Sequence, residues 1–193
     1  MVQLHAGQVT AVGAASPRVL LPGSFNPVHV GHRQLLQTAC AAVGPGATGG
    51  FELSVTNADK GVLPRHDVER RAAQFTLDGG MLVLTDAPLF VQKARLLPGT
   101  VFVVGVDTAL RIVMPKYYGG SEEAMRDVLQ SILDCGCSFL VAGRLMDGVF
   151  IEPASVVAPP GLEGLFRSLP AFRNDISSTQ LRAAAAAAAT AGT

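Results

Sequence analysis

Two histidines three residues apart, His29 and His32, carry the strongest chemical signal in the chain. They close the segment GSFNPVHVGH, residues 23–32. An apolar run precedes that segment, and a helical pattern over His29–Val43 begins inside it. Residues three apart share a face of a helix. Both histidines fall in the first turn, where free backbone N–H groups and the helix dipole favour an anion. Two imidazoles and a helix N-terminus aimed at one point suit a phosphoryl group that gains charge under attack. Neither histidine has to be a nucleophile. Gly23 permits close approach of backbone to ligand, and Pro27 stiffens the turn. A metal pair would need a further histidine or carboxylate nearby, and none is present, so no protein-held metal is expected.

A second segment, ISSTQLR at residues 176–182, reads as the start of another helix. Ser177 is a natural N-cap, Ser178 and Thr179 fall in the first turn, and Arg182 can fork onto phosphate oxygens. An ordinary capped helix with a surface arginine would look the same. Paired with the first segment, it suggests one helix end for an α-phosphate and the other for leaving pyrophosphate. Further candidates are scattered. Lys60 follows an apolar strand in TNADKGVLP, where many lysines are merely solvated. Arg70 and Arg71 share the next helix; one is expected to face water and the other to reach an acceptor phosphate. Asp107 follows Val101–Val106 and serves either a ligand or the cap of the next helix. Arg144 follows another strand and could flank a base or a phosphate.

The elements that must position these residues alternate along the chain. Val19–Leu21, Phe51–Thr56, Met81–Thr85, Val101–Val104 and Phe139–Ala142 are short apolar runs, as expected of strands covered on both faces. His29–Val43, Asp67–Leu77, Leu89–Leu97, Thr108–Val113 and Ser121–Asp134 are helical patterns. This alternation predicts βαβ units and an α/β fold, a Rossmann-like doubly wound parallel sheet with helices on both faces. The first histidine segment would then lie at the carboxyl end of a strand, where such sheets bind ligands. Gly44–Gly50 and Tyr117–Gly120 read as connectors, and Val157–Leu169 reads as irregular. Residues 1–17 are expected to form a flexible tail and residues 184–193 an alanine-rich one, leaving a single domain over 18–183.

The 193 residues suit one domain. The 15 basic and 15 acidic residues balance, so no cationic surplus points to DNA or RNA. No apolar run reaches the ~18 residues of a membrane span, and the N-terminus lacks a signal-peptide pattern. Cys40, Cys135 and Cys137 are an odd set without zinc spacing, read as reduced thiols of a cytoplasmic protein. The expected partners are small nucleotides, with neither nucleic acid nor membrane; a homo-oligomer is compatible with this composition. No Walker A loop is present, which argues against a P-loop kinase or ATPase.

Together the two segments resemble the nucleotidyltransferase, cytidylyltransferase-like superfamily. GSFNPVHVGH is similar to its GxFxPxHxGH signature, and ISSTQLR is similar to ISSTxxR. Nicotinamide- and nicotinate-mononucleotide adenylyltransferases are the enzymes of known activity that it resembles. FELSVTNADKG, FVVGVDTALRIVMPKYYGG, CSFLVAGRLMDGVF and NDISSTQLR extend the resemblance, over most of the chain, to a eukaryotic branch of cytidylyltransferase-like proteins. The resemblance implies transfer of a nucleotidyl group, expected to be adenylyl from ATP, to a phosphate-bearing acceptor, with Mg2+ carried by the triphosphate. It implies that His29 and His32 contact the triphosphate and that Gly23, Ser24 and Phe25 offer backbone contacts. Ser177, Ser178, Thr179 and Arg182 would hold the β- and γ-phosphates, Lys60 would meet the acceptor or transferred phosphate, and Gly105 and Asp107 would touch ribose. Mononucleotide adenylyltransferases commonly stack the pyridine ring on an aromatic, frequently Trp. This chain has no Trp, and Tyr117, Tyr118 and Phe90 are the rings available. A non-catalytic nucleotide sensor or scaffold on the same fold is the alternative. The HVGH tetrad also resembles the HIGH signature of aminoacyl-tRNA synthetases, but the chain has no room for an anticodon domain and no KMSKS-like segment.

Overall fold

The computed structural model describes residues 10–11, 17–57, 61–76, 80–146 and 148–169. The chain runs from a two-residue strand β1 (Thr10–Ala11) to β2 (Val19–Pro22), then α1 (Val30–Val43) and β3 (Gly49–Ser54). A small hairpin, β4 (Thr56–Asn57) with β5 (Gly61–Val62), leads into α2 (Arg65–Thr76). Next come β6 (Leu82–Thr85), α3 (Phe90–Leu96), β7 (Val101–Gly105) and α4 (Val106–Ile112). A 3₁₀ turn at Pro115–Tyr118 precedes α5 (Glu122–Asp134) and β8 (Ser138–Ala142). A second hairpin, β9 (Arg144–Met146) with β10 (Val149–Ile151), is followed by β11 (Phe166–Ser168).

Six of these strands pair in parallel, in the order β6-β3-β2-β7-β8-β11. Counted along the chain, that order is 3-2-1-4-5-6, the order of the Rossmann fold. The direction of winding reverses between β2 and β7, so the crevice at their carboxyl ends is the switch point. Successive residues of a strand point to opposite faces, and both faces are filled. Val19, Leu21, Phe51 and Leu53 pack with Leu36 and Ala39 of α1 and with Val68 and Phe75 of α2. Leu20, Phe102 and Val104 pack with Ala94 of α3, Ala109 and Ile112 of α4, and Met125, Leu129 and Ile132 of α5. Among the described residues no helix is long and apolar enough to cross a membrane.

Three segments differ from the sequence expectation. The connector expected over Gly44–Gly50 ends early, because Gly49 and Gly50 already belong to β3. A Cβ on Gly49 would fall on Cys40 Sγ, and one on Gly50 would lie 3.0 Å from Pro17 Cγ. These glycines let α1 and the chain before β2 press against the sheet, and glycine carries no side chain from which a strand could be read. The stretch expected to be irregular, Val157–Leu169, supplies the sixth parallel strand at Phe166–Ser168. Only Phe166 of that triplet carries an apolar signal, stacking on Phe139 with ring centroids 5.1 Å apart. Within the segment expected to be a tail, Thr10–Ala11 pairs antiparallel with Val83–Leu84. Residues 184–193 lie outside the described residues.

The sheet also contains a buried ion pair. Lys93 Nζ of α3 lies 2.6 Å from Glu52 Oε1 of β3, with side chains 6% and 1% exposed. Thr85 Oγ1, at the end of β6, donates to the same carboxylate oxygen. The backbone of Glu52 is equally engaged, since its carbonyl accepts the Gly23 N–H at 2.9 Å. The pair therefore ties α3 and two strands to the first residue of the histidine segment.

Candidate functional site

The segment Gly23–Val28 leaves β2 and turns into α1 at the switch point. Phe25 makes the turn with φ of 45°, a conformation that costs a bulky residue about 1–3 kcal/mol. Its ring offsets this cost. It is 1% exposed and packs edge-on against His32, Phe51 and Phe75 at centroid distances of 5.3, 5.4 and 5.3 Å. Gly23 is explained by the same ring, since a Cβ there would lie 2.7 Å from Phe25 Cε1 and Cζ. The glycine makes room for Phe25. Ser24 is exposed.

His29 is the N-cap of α1, in extended conformation, and no acidic residue lies in the first turn of the helix. α5 is built differently: Ser121 Oγ caps Ala124 N–H at 3.1 Å, and Glu122 and Glu123 occupy the first turn. The positive end of α5 is thus neutralised by its own sequence. That of α1 has no acidic side chain in its first turn. The imidazoles of His29 and His32 lie 3.8 Å apart, tilted by 31°. His32 Nδ1 accepts the His29 backbone N–H at 3.2 Å. A neutral imidazole that accepts at Nδ1 carries its proton on Nε2, so Nε2–H is its donor. His29 Nδ1 is buried without a hydrogen-bond partner among the described residues.

Burial holds both histidines below their ordinary value. His32 is driven down to about 4, first by desolvation and then by the positive charges of His29 and Arg33. His29 is lowered by desolvation alone. At neutral pH both therefore act as uncharged hydrogen-bonding groups. In the unfolded chain His32 takes a proton at its ordinary 6.5, whereas in the folded protein it resists protonation until about 4. The unfolded state binds more protons in that window, so His32 stabilises the fold above about 6.5 and loses that contribution on acidification toward about 4. The melting temperature of the wild type should fall more steeply across this range than that of His32→Gln. Parallel curves for the two proteins would refute the depressed titration.

One helix grips the turn. Arg71 of α2 donates from Nη1 to the Ser24 carbonyl at 3.0 Å, and Arg70 Nη1 donates to Asn26 Oδ1 at 2.9 Å. Asp67 holds both guanidiniums, at 2.8 Å to Arg70 and 3.6 Å to Arg71. Gln74 Nε2 donates to the Phe25 carbonyl at 3.0 Å, while its Oε1 accepts the Val28 N–H at 2.9 Å. Arg71 is buried, and its Nε has no partner among the described residues. The sequence expectation is one arginine facing water and the other reaching an acceptor phosphate. The structure gives Arg71 to the turn and leaves Arg70 half exposed beside it.

Gly105 and Asp107 stand at the end of the neighbouring strand, β7. Gly105 is the N-cap of α4, where a Cβ would lie 2.8 Å from Asp107 Oδ1. Asp107 makes no side-chain cap; it lies between Arg111 at 3.6 Å and Arg144 at 3.5 Å. Arg144 begins β9, just after β8, so this pair spans the ends of two adjacent strands. No family model, curated protein or solved structure matches the chain.

The three rings considered for stacking separate. Phe90 packs into the core against Phe102 and Phe139, and Tyr118 donates its hydroxyl to the Ile112 carbonyl at 2.8 Å. Tyr117 alone is exposed, with Lys116 Nζ 5.0 Å from its ring centroid. Lys60, Ser177, Ser178, Thr179 and Arg182 lie outside the described residues. The described chain ends at Leu169, bonded to Val141 at the carboxyl edge of the sheet, eight residues before Ser177. Among the described residues no group of three His, Cys, Asp or Glu side chains is placed to hold a metal. Gln74 was not legible as a site residue: a lone glutamine on a helix belongs to no motif.

Proposed function

We propose that the protein is a nucleotidyltransferase that moves a nucleotidyl group, adenylyl first among the candidates, from a nucleoside triphosphate to a phosphate-bearing acceptor. The observation that carries this reading is the pair of adjacent imidazoles at the head of α1, directly beyond β2 at the switch point. An acid-free helix N-terminus and an Nε2–H donor meet where a Rossmann-like sheet receives a nucleotide. Two uncharged donors can follow charge as it develops on the α-phosphoryl oxygens, without the penalty of burying cations beforehand. The residue types support the same reading, since GSFNPVHVGH and ISSTQLR resemble the two signatures of one superfamily.

The reaction is a direct displacement. An acceptor phosphate oxygen forms a bond to the α-phosphorus, the bond to the bridging oxygen breaks, and pyrophosphate leaves with that electron pair. His29 and His32 hold the α-phosphate, the Ser177 segment with Arg182 holds the departing phosphates, and Lys60 meets the acceptor. Ser24 and Phe25 contribute backbone groups, and Gly105 and Asp107 border the ribose. Magnesium suits the triphosphate oxygens better than this protein, whose histidines and arginine-paired Asp107 are poor partners for a hard cation. Rate comes from positioning and charge stabilisation.

The test is pyrophosphate release from ATP or CTP with a panel of acceptors: nicotinamide and nicotinate mononucleotides, phosphocholine, phosphopantetheine and sugar phosphates. Turnover with ATP and a mononucleotide is expected. Robust turnover with CTP and none with ATP would reassign the base. Triphosphate binding without release from any acceptor would identify a nucleotide sensor on the same fold.

A further inference from the structure

We infer that Gln74 of α2 is the positioning residue of this site: its side-chain amide splints the turn Phe25–Val28 and so fixes where His29 and His32 stand. A hydrogen-bonded β-turn joins the carbonyl of its first residue to the N–H of its fourth. Here one primary amide is inserted between those groups, with Nε2 on the Phe25 carbonyl at 3.0 Å and Oε1 on the Val28 N–H at 2.9 Å. Nε2 also donates to the Arg71 carbonyl at 3.1 Å, which ties the splint to its own helix. Only a side chain ending in both a donor and an acceptor meets this demand. A carboxylate lacks the donor, and an aliphatic chain lacks both.

The consequence reaches the histidines in two ways. Val28 immediately precedes His29, the N-cap of α1. Phe25, held from its carbonyl, lays its ring edge-on against His32 at 5.3 Å. Arg70 and Arg71 assist from the same helix, through the Asn26 side chain and the Ser24 carbonyl. Gln74 holds both ends of the turn. In its bearing on catalysis this inference rests on the transferase reading; in its bearing on the histidines it does not.

The experiment uses the full chain, with Gln74→Glu and Gln74→Leu beside the wild type. Proton NMR follows the imidazole titrations of the four histidines, with His32→Gln assigning its signal. In wild type one histidine should titrate near about 4. In the variants that signal should titrate higher by about one pH unit or more, while cooperative melting persists. Pyrophosphate release should lose ~10-fold or more in kcat with KM for the triphosphate changed by less than ~3-fold, as expected of lost alignment. If the leucine variant fails to fold, the near-isosteric glutamate variant still decides, since it keeps the acceptor and loses the donor. Wild-type titration of His32 in the folded variants overturns the proposal, and so does a raised titration with unchanged kcat. A wild type inert with every acceptor would sink the transferase reading instead, leaving the imidazole titration to judge the splint.

Discussion

Lys93→Met should destabilise the protein by about 3–5 kcal/mol, the cost of leaving one partner of a buried ion pair alone. Methionine keeps much of the stem volume, so little of the loss comes from a cavity. What remains is the Glu52 carboxylate, 1% exposed, with Thr85 Oγ1 as its remaining described donor. Val83, its cross-strand neighbour on β6, is apolar and offers nothing in exchange. Chemical denaturation should show the midpoint shifted with an unchanged slope. The double variant Glu52→Leu/Lys93→Met should recover most of the stability, because two apolar groups need no pairing. A single variant that loses less than about 1 kcal/mol would mean that water reaches the carboxylate after all.

His32→Ala should lower turnover by ~10²–10³-fold, the usual result of removing one donor from developing charge. The fold should tolerate the change. His32 is half-buried, and Ala is the better helix former. Part of the ring contact with Phe25 is lost, but an imidazole buried below its ordinary pKa is lost with it. The His29 N–H loses its acceptor, and at the head of an open helix water can replace it. Because the contact strengthens as charge develops, kcat should fall further than triphosphate affinity. Pyrophosphate release and thermal melting, compared with wild type, check both halves. A variant retaining more than about a tenth of its turnover would remove His32 from the phosphate clamp.

Most of the sheet was legible because buried parallel strands are plain runs of Val, Leu and Phe. The runs at Val19–Leu21, Val101–Val104 and Phe139–Ala142 all fall within strands. β11 was not legible, because an edge triplet reading Phe-Arg-Ser looks like a loop. Nor was strand order, which depends on how crossovers pack and not on any local signal. The histidine segment stood out because rare residue types recur at helical spacing after a strand. Its supports did not. Glu52 and Lys93 are 41 residues apart, and Gln74 is 49 from the carbonyl that it holds. Long-range polar contacts leave no periodicity to read. Arg70 and Arg71 show the converse: their charge was visible, but whether it served a ligand or a backbone carbonyl was decided only by tertiary packing.

The shortest strand of the sheet has a consequence out of proportion to its size. β6 would be an open edge of the sheet, with unpaired N–H and C=O groups beside buried Val83 and Leu84. Such an edge is a template for any other extended chain. Thr10 and Ala11 occupy it, in the reverse direction to the other strands. A protein shortened past them would keep its core and its histidines yet offer a bare border for recruitment between molecules, so that concentration rather than temperature would expose the defect.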